Sequence, residues 1–121
     1  MRMKSKRNVV LRHTLYIVYR LKRAPLVCGL CGKRLTLDMA HMHHVINRRH
    51  LTSEAQEVYP VELCIFLCAE CHLGEAVDTP EVRVALMAKC GELFGAERVE
   101  RARERLSQVV QTDLRRLFDV S

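Results

Sequence analysis

Two Cys-x-x-Cys pairs flank a group of histidines in this chain of 121 residues. The first pair is Cys28 and Cys31, and the second is Cys68 and Cys71, which His72 follows directly. Two thiolates separated by two residues can bind one ion from a tight turn, so each pair is half of a tetrahedral zinc site. The four cysteines therefore predict one structural Zn²⁺, and the histidines remain available for other chemistry.

Six cysteines could also form a disulfide framework in a secreted protein, or one pair could be a thioredoxin-like redox site. The longest apolar run near the N-terminus, residues 15–19, is too short for a signal-peptide core or a membrane span. We therefore expect a cytoplasmic protein with no membrane association, in which reduced cysteine pairs bind zinc. Cys64 and Cys90 stand among apolar residues and are expected to be buried free thiols.

Charge is distributed unevenly along the chain. Residues 1–37 contain ten basic residues and no acidic ones, whereas residues 38–121 contain ten basic and fourteen acidic residues. A cationic segment that leads into a zinc motif favours contact with a polyanion, and we expect that polyanion to be nucleic acid. The alternative is a solvated basic arm that has no dedicated partner.

The length of the chain predicts one domain, residues 1–121, and the pattern of its apolar residues predicts an α+β fold. We expect a basic N-terminal arm and helix in residues 1–24, a zinc core in 25–78 and two C-terminal helices in 79–121. Apolar residues at helical spacing predict the first helix over 9–22, although the β-branched and aromatic run within it could form a strand. The zinc core is predicted to contain, in order, a strand, a polar loop, a second strand and a short helix: residues 39–46, 47–60, 61–67 and 69–77.

The C-terminal third is predicted to form two helices. Thr79 can cap a helix that has Pro80 in its first turn and ends near Gly91. A final helix is expected over residues 96–118. Its apolar stripe favours packing on the domain over a dimer seam, although these helices could also bind a protein partner or a second copy. The stripe consists of Val99, Ala102, Leu106, Val109, Val110, Leu114 and Leu117.

The order of these motifs resembles that of the HNH endonucleases. The resemblance covers about residues 25–78 and rests on "MHHVI" (42–46), on "FLCAECH" (66–72) and on the first cysteine pair. It implies a ββα-metal fold related to treble-clef zinc fingers. It also implies a nuclease that uses a divalent metal to hydrolyse phosphodiester bonds in DNA.

The resemblance implies a role for each matching histidine. His43 would bind the catalytic metal, His44 would be the general base that activates water, and His72 would be a further metal ligand. Mg²⁺ or Mn²⁺ is the expected metal, and imidazole ligands also suit Zn²⁺ or Ni²⁺. Strand alternation by itself leaves another choice open, because His41 shares a face with His43 and could be its partner ligand. The favoured interpretation of His41 is a supporting or surface residue. His50 is expected to contact phosphate or solvent.

The sequence departs from the family pattern at Leu63, where the family usually has an asparagine that orients the base. We expect Leu63 on the second strand beside the histidine pair. A leucine cannot accept the imidazole N–H. In an active enzyme Glu62 or a backbone carbonyl would then orient His44.

A second departure is Ala76, where the family often has another histidine. Glu75 and Asp78 are nearby substitutes for that ligand. The two departures support an alternative to the nuclease. The chain would then be a catalytically weak or inactive zinc module that binds nucleic acid or a partner protein.

Overall fold

A computed structural model describes residues 6–120 of the chain. In this range, α-helices surround a two-stranded antiparallel sheet, which confirms the expected α+β class. The elements follow in the order α1 (Lys6–Leu21), β1 (His41–His44), α2 (Ser53–Glu57), β2 (Cys64–Leu67), α3 (Ala69–His72), α4 (Pro80–Phe94) and α5 (Ala96–Val110).

Helix α1 buries Leu11, Leu15 and Tyr19 in the core, so the alternative of a strand at residues 15–19 was wrong. The spacing of these residues places them on one face of the helix. The apolar residues whose spacing predicted this helix also included Val10 and Leu21, which are 53% and 77% exposed.

The predicted basic arm overlaps the first turn of α1. Lys6 and Arg7 lie within the helix, whereas Arg2 and Lys4 lie outside the described residues. The Arg7 guanidinium donates hydrogen bonds to the Tyr59 carbonyl oxygen from Nε (3.2 Å) and from Nη2 (2.6 Å). Arg7 therefore holds the start of α1 against the rest of the domain.

The sheet is shorter than the sequence predicted. Strand β1 pairs with β2 so that His44 lies opposite Cys64, and the Val45 N–H donates to the Leu63 carbonyl oxygen at 2.9 Å. Residues 61–63 form a 3₁₀ turn before β2, so the expectation that Leu63 lies on the second strand was wrong. The side chain of Leu63 is fully buried.

The segment predicted as a polar loop, residues 47–60, contains helix α2 and a buried tyrosine. Thr52 caps α2 by accepting a hydrogen bond from the Ala55 N–H. The Tyr59 hydroxyl accepts from the Ile46 N–H (3.1 Å) and donates towards the carbonyl oxygens of Ile46 (3.0 Å) and Leu63 (3.2 Å). These bonds fix the segment to the end of the sheet.

The C-terminal helices begin as predicted but end differently. Thr79 accepts a hydrogen bond from the Val82 N–H, which confirms the cap. Helix α4 continues past Gly91 to Phe94, because the residue with a positive φ that ends it is Gly95 (φ 94°). Helix α5 ends at Val110, where Gln111 is left-handed, and residues 114–118 form a 3₁₀ turn. The single helix predicted over 96–118 was therefore wrong beyond residue 110.

The stripe on α5 packs into the core, where Val99, Ala102 and Leu106 are buried. Cys64 and Cys90 are buried free thiols, as expected, and the Cys90 thiol lies 3.7 Å from the Cys64 carbonyl oxygen. None of the helices in residues 6–120 combines the length and the hydrophobicity needed to cross a bilayer.

Candidate functional site

The four cysteines of the two pairs come together as the sequence predicted. The sulfur atoms of Cys28, Cys31, Cys68 and Cys71 all lie within 4.8 Å of one another. Two sulfurs bound to one tetrahedral zinc at about 2.3 Å are about 3.8 Å apart. The distance between the sulfurs of Cys31 and Cys68 is 3.8 Å. The group can therefore hold a structural metal ion such as zinc.

The first pair lies in a tight turn. The Cys28 N–H donates to the Lys33 carbonyl oxygen at 2.8 Å, and Gly32 adopts a positive φ of 77° within the turn. The Leu30 N–H points at the Cys28 sulfur, 3.5 Å away. Such N–H donors stabilise a thiolate, so the turn favours the ligand form of Cys28.

The second pair begins a helix. The Cys68 sulfur caps α3 and accepts from the Cys71 N–H at 3.5 Å. The two pairs are connected through Gly29, whose N–H donates to the Phe66 carbonyl oxygen at 3.0 Å. A Cβ at Gly29 would lie 2.6 Å from the Ile65 Cδ1, so the close approach of turn and strand requires glycine.

The thiols of the group ionise unequally. Burial opposes ionisation of Cys28, but hydrogen bonds from backbone N–H groups and from the Cys31 thiol outweigh it and lower the Cys28 pKa to about 6. Burial, followed by hydrogen bonds with the other thiols, raises the Cys71 pKa to about 12. Metal ligation needs the thiolate form, so metal binding would release the proton that Cys71 holds.

Three of the predicted histidines meet on one side of the sheet. The side chains of His41 and His43 lie on the same face of β1, because residues two positions apart in a strand share a face. His72 extends from α3 towards both. The Nδ1 atoms of His41 and His72 are 3.1 Å apart, and the ring centroids of His43 and His72 are 5.3 Å apart. The structure thus brings His41 next to His72. From this position His41 could be a metal ligand itself, as well as the supporting residue that the sequence favoured.

The environment of His43 fits a metal ligand. Its side chain is 4% exposed, and its Nε2 is buried with no hydrogen-bond partner in the described part of the chain. Burial, then the nearby His72, lowers the His43 pKa to about 4, against the opposing charge of Asp78. A neutral imidazole with an unpaired nitrogen is the form that binds a divalent ion. The histidine nitrogens are, however, less tightly gathered than the sulfurs, which form the one metal-binding group within 4.8 Å among residues 6–120.

His44 points to the other face of β1. Its Nε2 lies 3.1 Å from the Asn8 Oδ1 of helix α1, and its ring packs edge-on against Tyr59 with centroids 4.6 Å apart. Burial, followed by the charge of Arg48, lowers the His44 pKa to about 4. His44 is therefore neutral at physiological pH.

Glu62 does not lie where an orienting partner of His44 would need to be. Its carboxylate forms an ion pair with the Arg98 Nε at 2.6 Å, and it lines a different cavity, between α1 and α5. The structure therefore does not bring Glu62 to His44.

The residues near Ala76 are also placed differently from the family pattern. Ala76 and Glu75 are exposed. Asp78 forms ion pairs with Arg49 and Arg83, and its Oδ2 lies 3.6 Å from the Nε2 of His50. His50 therefore contacts a carboxylate, a partner that the sequence did not indicate.

A cleft of about 1190 Å³ opens between α1 and the segment that follows β1. His44 and His72 both line it, together with Arg12, Arg48 and Arg49. No carboxylate lies among the described residues of its lining. The cleft can therefore accept an anionic ligand next to a neutral imidazole.

Comparisons of the chain with protein-family models, with curated proteins and with solved structures found no match. Any assignment of function therefore depends on the residues themselves. Sequence reasoning missed two residues of the site, Asn8 and Tyr59. Their contacts with His44 span 36 and 15 positions, so no local pattern could have indicated them.

Proposed function

We propose that this protein is an endonuclease of the HNH type with a ββα-metal, treble-clef-like core, which hydrolyses phosphodiester bonds in DNA with the help of a divalent metal. One observation carries the proposal. The neutral His44 lines a cationic cleft, while the adjacent His43 holds a buried nitrogen with no hydrogen-bond partner in the described range. A proton acceptor and a ligand for a metal thus stand on neighbouring residues.

In this proposal His44 takes a proton from the attacking water. Its lowered pKa keeps the imidazole unprotonated at neutral pH, and the same shift makes it a weaker base than a free imidazole. Burial on one side and the open cleft on the other let it reach water without full solvation. The packing of its ring on Tyr59 restricts its orientation.

His43 and His72 would hold the divalent metal, and His41 is close enough to His72 to take part. Two imidazole nitrogens on one ion at about 2.0–2.1 Å are about 3.3 Å apart, near the observed separation of the His41 and His72 Nδ1 atoms. Mg²⁺, Mn²⁺, Zn²⁺ and Ni²⁺ are the candidates. When bound, the metal would supply charge stabilisation for the scissile phosphate and the leaving oxygen.

DNA is the proposed partner because of the charge of the cleft. Arg48 is exposed on its wall and can contact phosphates, whereas Arg49, also exposed, forms an ion pair with Asp78. Arg12 instead stabilises the fold. Its guanidinium donates hydrogen bonds to the carbonyl oxygens of Ala40 (2.7 Å) and Leu37 (2.5 Å), which hold the segment before β1 against α1.

One observation favours the alternative, a zinc module that binds nucleic acid or a partner protein without cleaving. The histidine nitrogens do not form a compact group comparable with the sulfurs, and the position of Ala76 offers no ligand. In that case the cleft would still bind DNA, and the zinc would still stabilise the fold.

A nicking assay on supercoiled plasmid tests the proposal. Zinc-loaded protein is assayed with Mg²⁺, Mn²⁺ and Ni²⁺ in turn, and with a chelator that leaves the zinc in place. We expect metal-dependent nicking, and we expect His44→Ala to reduce it by about 10²–10⁴-fold, the usual effect of removing a general base.

The His44→Ala protein, purified in the same way, also controls for contaminating nuclease. Its zinc content and its affinity for DNA should equal those of the wild type. DNA binding without nicking by the wild type, with every metal, would favour the binding module. Equal nicking by both proteins would exclude His44 as the base.

A further inference from the structure

We infer that Asn8 on helix α1 is the positioning residue for His44. The inference rests on the proposed function for its catalytic consequence, and on geometry for the pairing itself. The Asn8 Oδ1 lies 3.1 Å from the His44 Nε2. An asparagine from a distant helix thus occupies the role that the sequence led us to seek at Leu63.

Leu63 is excluded from that role by the register of the sheet. Cys64 is the residue opposite His44. Leu63 lies just before the start of β2, and its carbonyl oxygen accepts a hydrogen bond from the Val45 N–H. Its side chain is fully buried. The face of β1 that presents His44 is instead covered by α1, where Arg12 stacks over Phe66 and Tyr19 contacts the same ring.

Both ends of the pairing are held in place. Arg7, the neighbour of Asn8, binds the Tyr59 carbonyl oxygen through two hydrogen bonds, and the Tyr59 ring packs against His44. The tyrosine hydroxyl is in turn fixed to the backbone of Ile46. Asn8, through its neighbour Arg7, and the imidazole are therefore both held against the same buried residue, Tyr59, which limits their relative movement.

The chemical consequence concerns the imidazole tautomer. An amide oxygen only accepts hydrogen bonds, so the pairing places the proton of His44 on Nε2. The lone pair that takes the proton from water is then on Nδ1. A base held in one tautomer and one orientation is more effective than one that alternates between two.

The test combines a spectroscopic measurement with kinetics. The nitrogen chemical shifts of His44, recorded on zinc-loaded protein, report the tautomer directly and need no activity. We expect the Nε2–H form in the wild type and a mixture of tautomers in Asn8→Ala. Alanine is a better helix former than asparagine, so loss of the helix is not the expected effect.

In the nicking assay we expect Asn8→Ala to lower kcat by about 10- to 100-fold with little change in KM. Asn8→Asp keeps an acceptor oxygen in the same place. At mildly alkaline pH, where the imidazole stays neutral, it should restore the Nε2–H tautomer and most of kcat. Val10→Ala is the matched control, because Val10 is on the same helix, is 53% exposed and lines a different cavity.

Three results would overturn the inference. The first is an Nδ1–H tautomer in the wild type, and the second is an Asn8→Ala protein that matches Val10→Ala in both tautomer and kcat. The third is a loss of kcat that Asn8→Asp does not restore. If the wild-type protein fails to cleave DNA with any of the metals tested, the proposed hydrolysis and the catalytic role of Asn8 are overturned together. The tautomer would still decide whether Asn8 fixes the imidazole.

Discussion

The sulfur group and the histidine group are neighbours, since His72 directly follows Cys71 and lies against His41, yet the chain builds them in different ways. Each cysteine pair is positioned by its own turn or helix start, and the four sulfurs lie within 4.8 Å of one another. His41 and His43 come from β1 and His72 from α3, and these side chains converge only because the two elements pack together. Local geometry thus forms each half of the sulfur group, and a backbone hydrogen bond from Gly29 to Phe66 on β2 joins the halves. The histidine group depends on the packing of α3 against β1 and is looser.

This difference indicates that the two groups have different functions. A structural zinc contributes folding free energy directly, so its ligands must be in place whenever the chain is folded. A metal that serves catalysis needs open coordination positions, and a looser set of ligands is compatible with that requirement. We therefore expect changes in the sulfur group to affect stability, and changes in the histidine group to affect metal binding and cleavage.

The largest effect is expected for Cys68→Ser. Serine is a good helix cap, so α3 keeps its cap and the zinc ligand is what the variant lacks. Structural zinc is worth about 10–16 kcal/mol in zinc-finger peptides, more than most domains can lose. Metal analysis and thermal melting should show loss of zinc and unfolding. Cys90→Ala, which removes a buried thiol outside the group, should keep its zinc. Wild-type protein that is folded but substoichiometric in zinc would contradict this prediction.

The next largest effect is expected for Leu63→Asn. The substitution replaces a fully buried leucine with an amide that has no partner in the core, and it should cost about 3–5 kcal/mol of unfolding free energy. Cleavage should not rise at temperatures where the protein is folded, because the amide partner of His44 is Asn8. Denaturant unfolding measures the stability, with Leu63→Met as the volume-matched control. Faster cleavage by the folded variant would restore residue 63 as the orienting position.

Glu62→Gln separates the stability of the core from the chemistry of the histidine group. The variant loses the charge that pairs with Arg98 at 2.6 Å. We therefore expect its unfolding free energy to fall by about 1–3 kcal/mol. Cleavage by folded protein should not change, since Glu62 lies away from His44. Glu57→Gln, at an exposed position on α2, controls for the change of charge. Reduced cleavage at unchanged stability would mean that Glu62 acts on the site after all.

His72→Ala should have little effect on stability and a large one on metal binding. His72 is only partly buried, so the unfolding free energy should change by about 0.5 kcal/mol or less. Calorimetric titration of zinc-loaded protein with Mn²⁺ or Ni²⁺ should show weaker binding. His13→Ala, which removes an exposed imidazole from the same cleft, should bind these metals as the wild type does. Unchanged binding by His72→Ala would remove His72 from the ligand set.

The smallest effect is expected for Arg48→Gln. If Arg48 contacts one phosphate, its loss should make the slope of log affinity against log salt shallower by about 0.9, whatever the DNA sequence. Binding titrations at several salt concentrations measure the slope. Arg105→Gln removes the same charge from an exposed residue that lines a different cavity and should leave the slope unchanged. Equal slopes for wild type and Arg48→Gln would mean that Arg48 does not touch phosphate.

The sequence by itself determined the features that depend on local spacing. The two Cys-x-x-Cys pairs predicted the sulfur group, because a turn or a helix start brings such a pair together without help from the rest of the fold. Thr79 marked the start of α4, since a cap acts on the next few N–H groups. The strand alternation of residues 41–44 correctly separated the face of His43 from that of His44.

Only the tertiary structure decided which residues surround each histidine. The contact of Asn8 with His44 and the placement of Glu62 on Arg98 each span 36 positions, and such pairs leave no periodic signal. The 3₁₀ turn before β2 moved Leu63 out of the strand, which a β-rich stretch of sequence could not reveal. Side-chain contacts between distant segments depend on how whole elements pack, and that packing is set by the complete core.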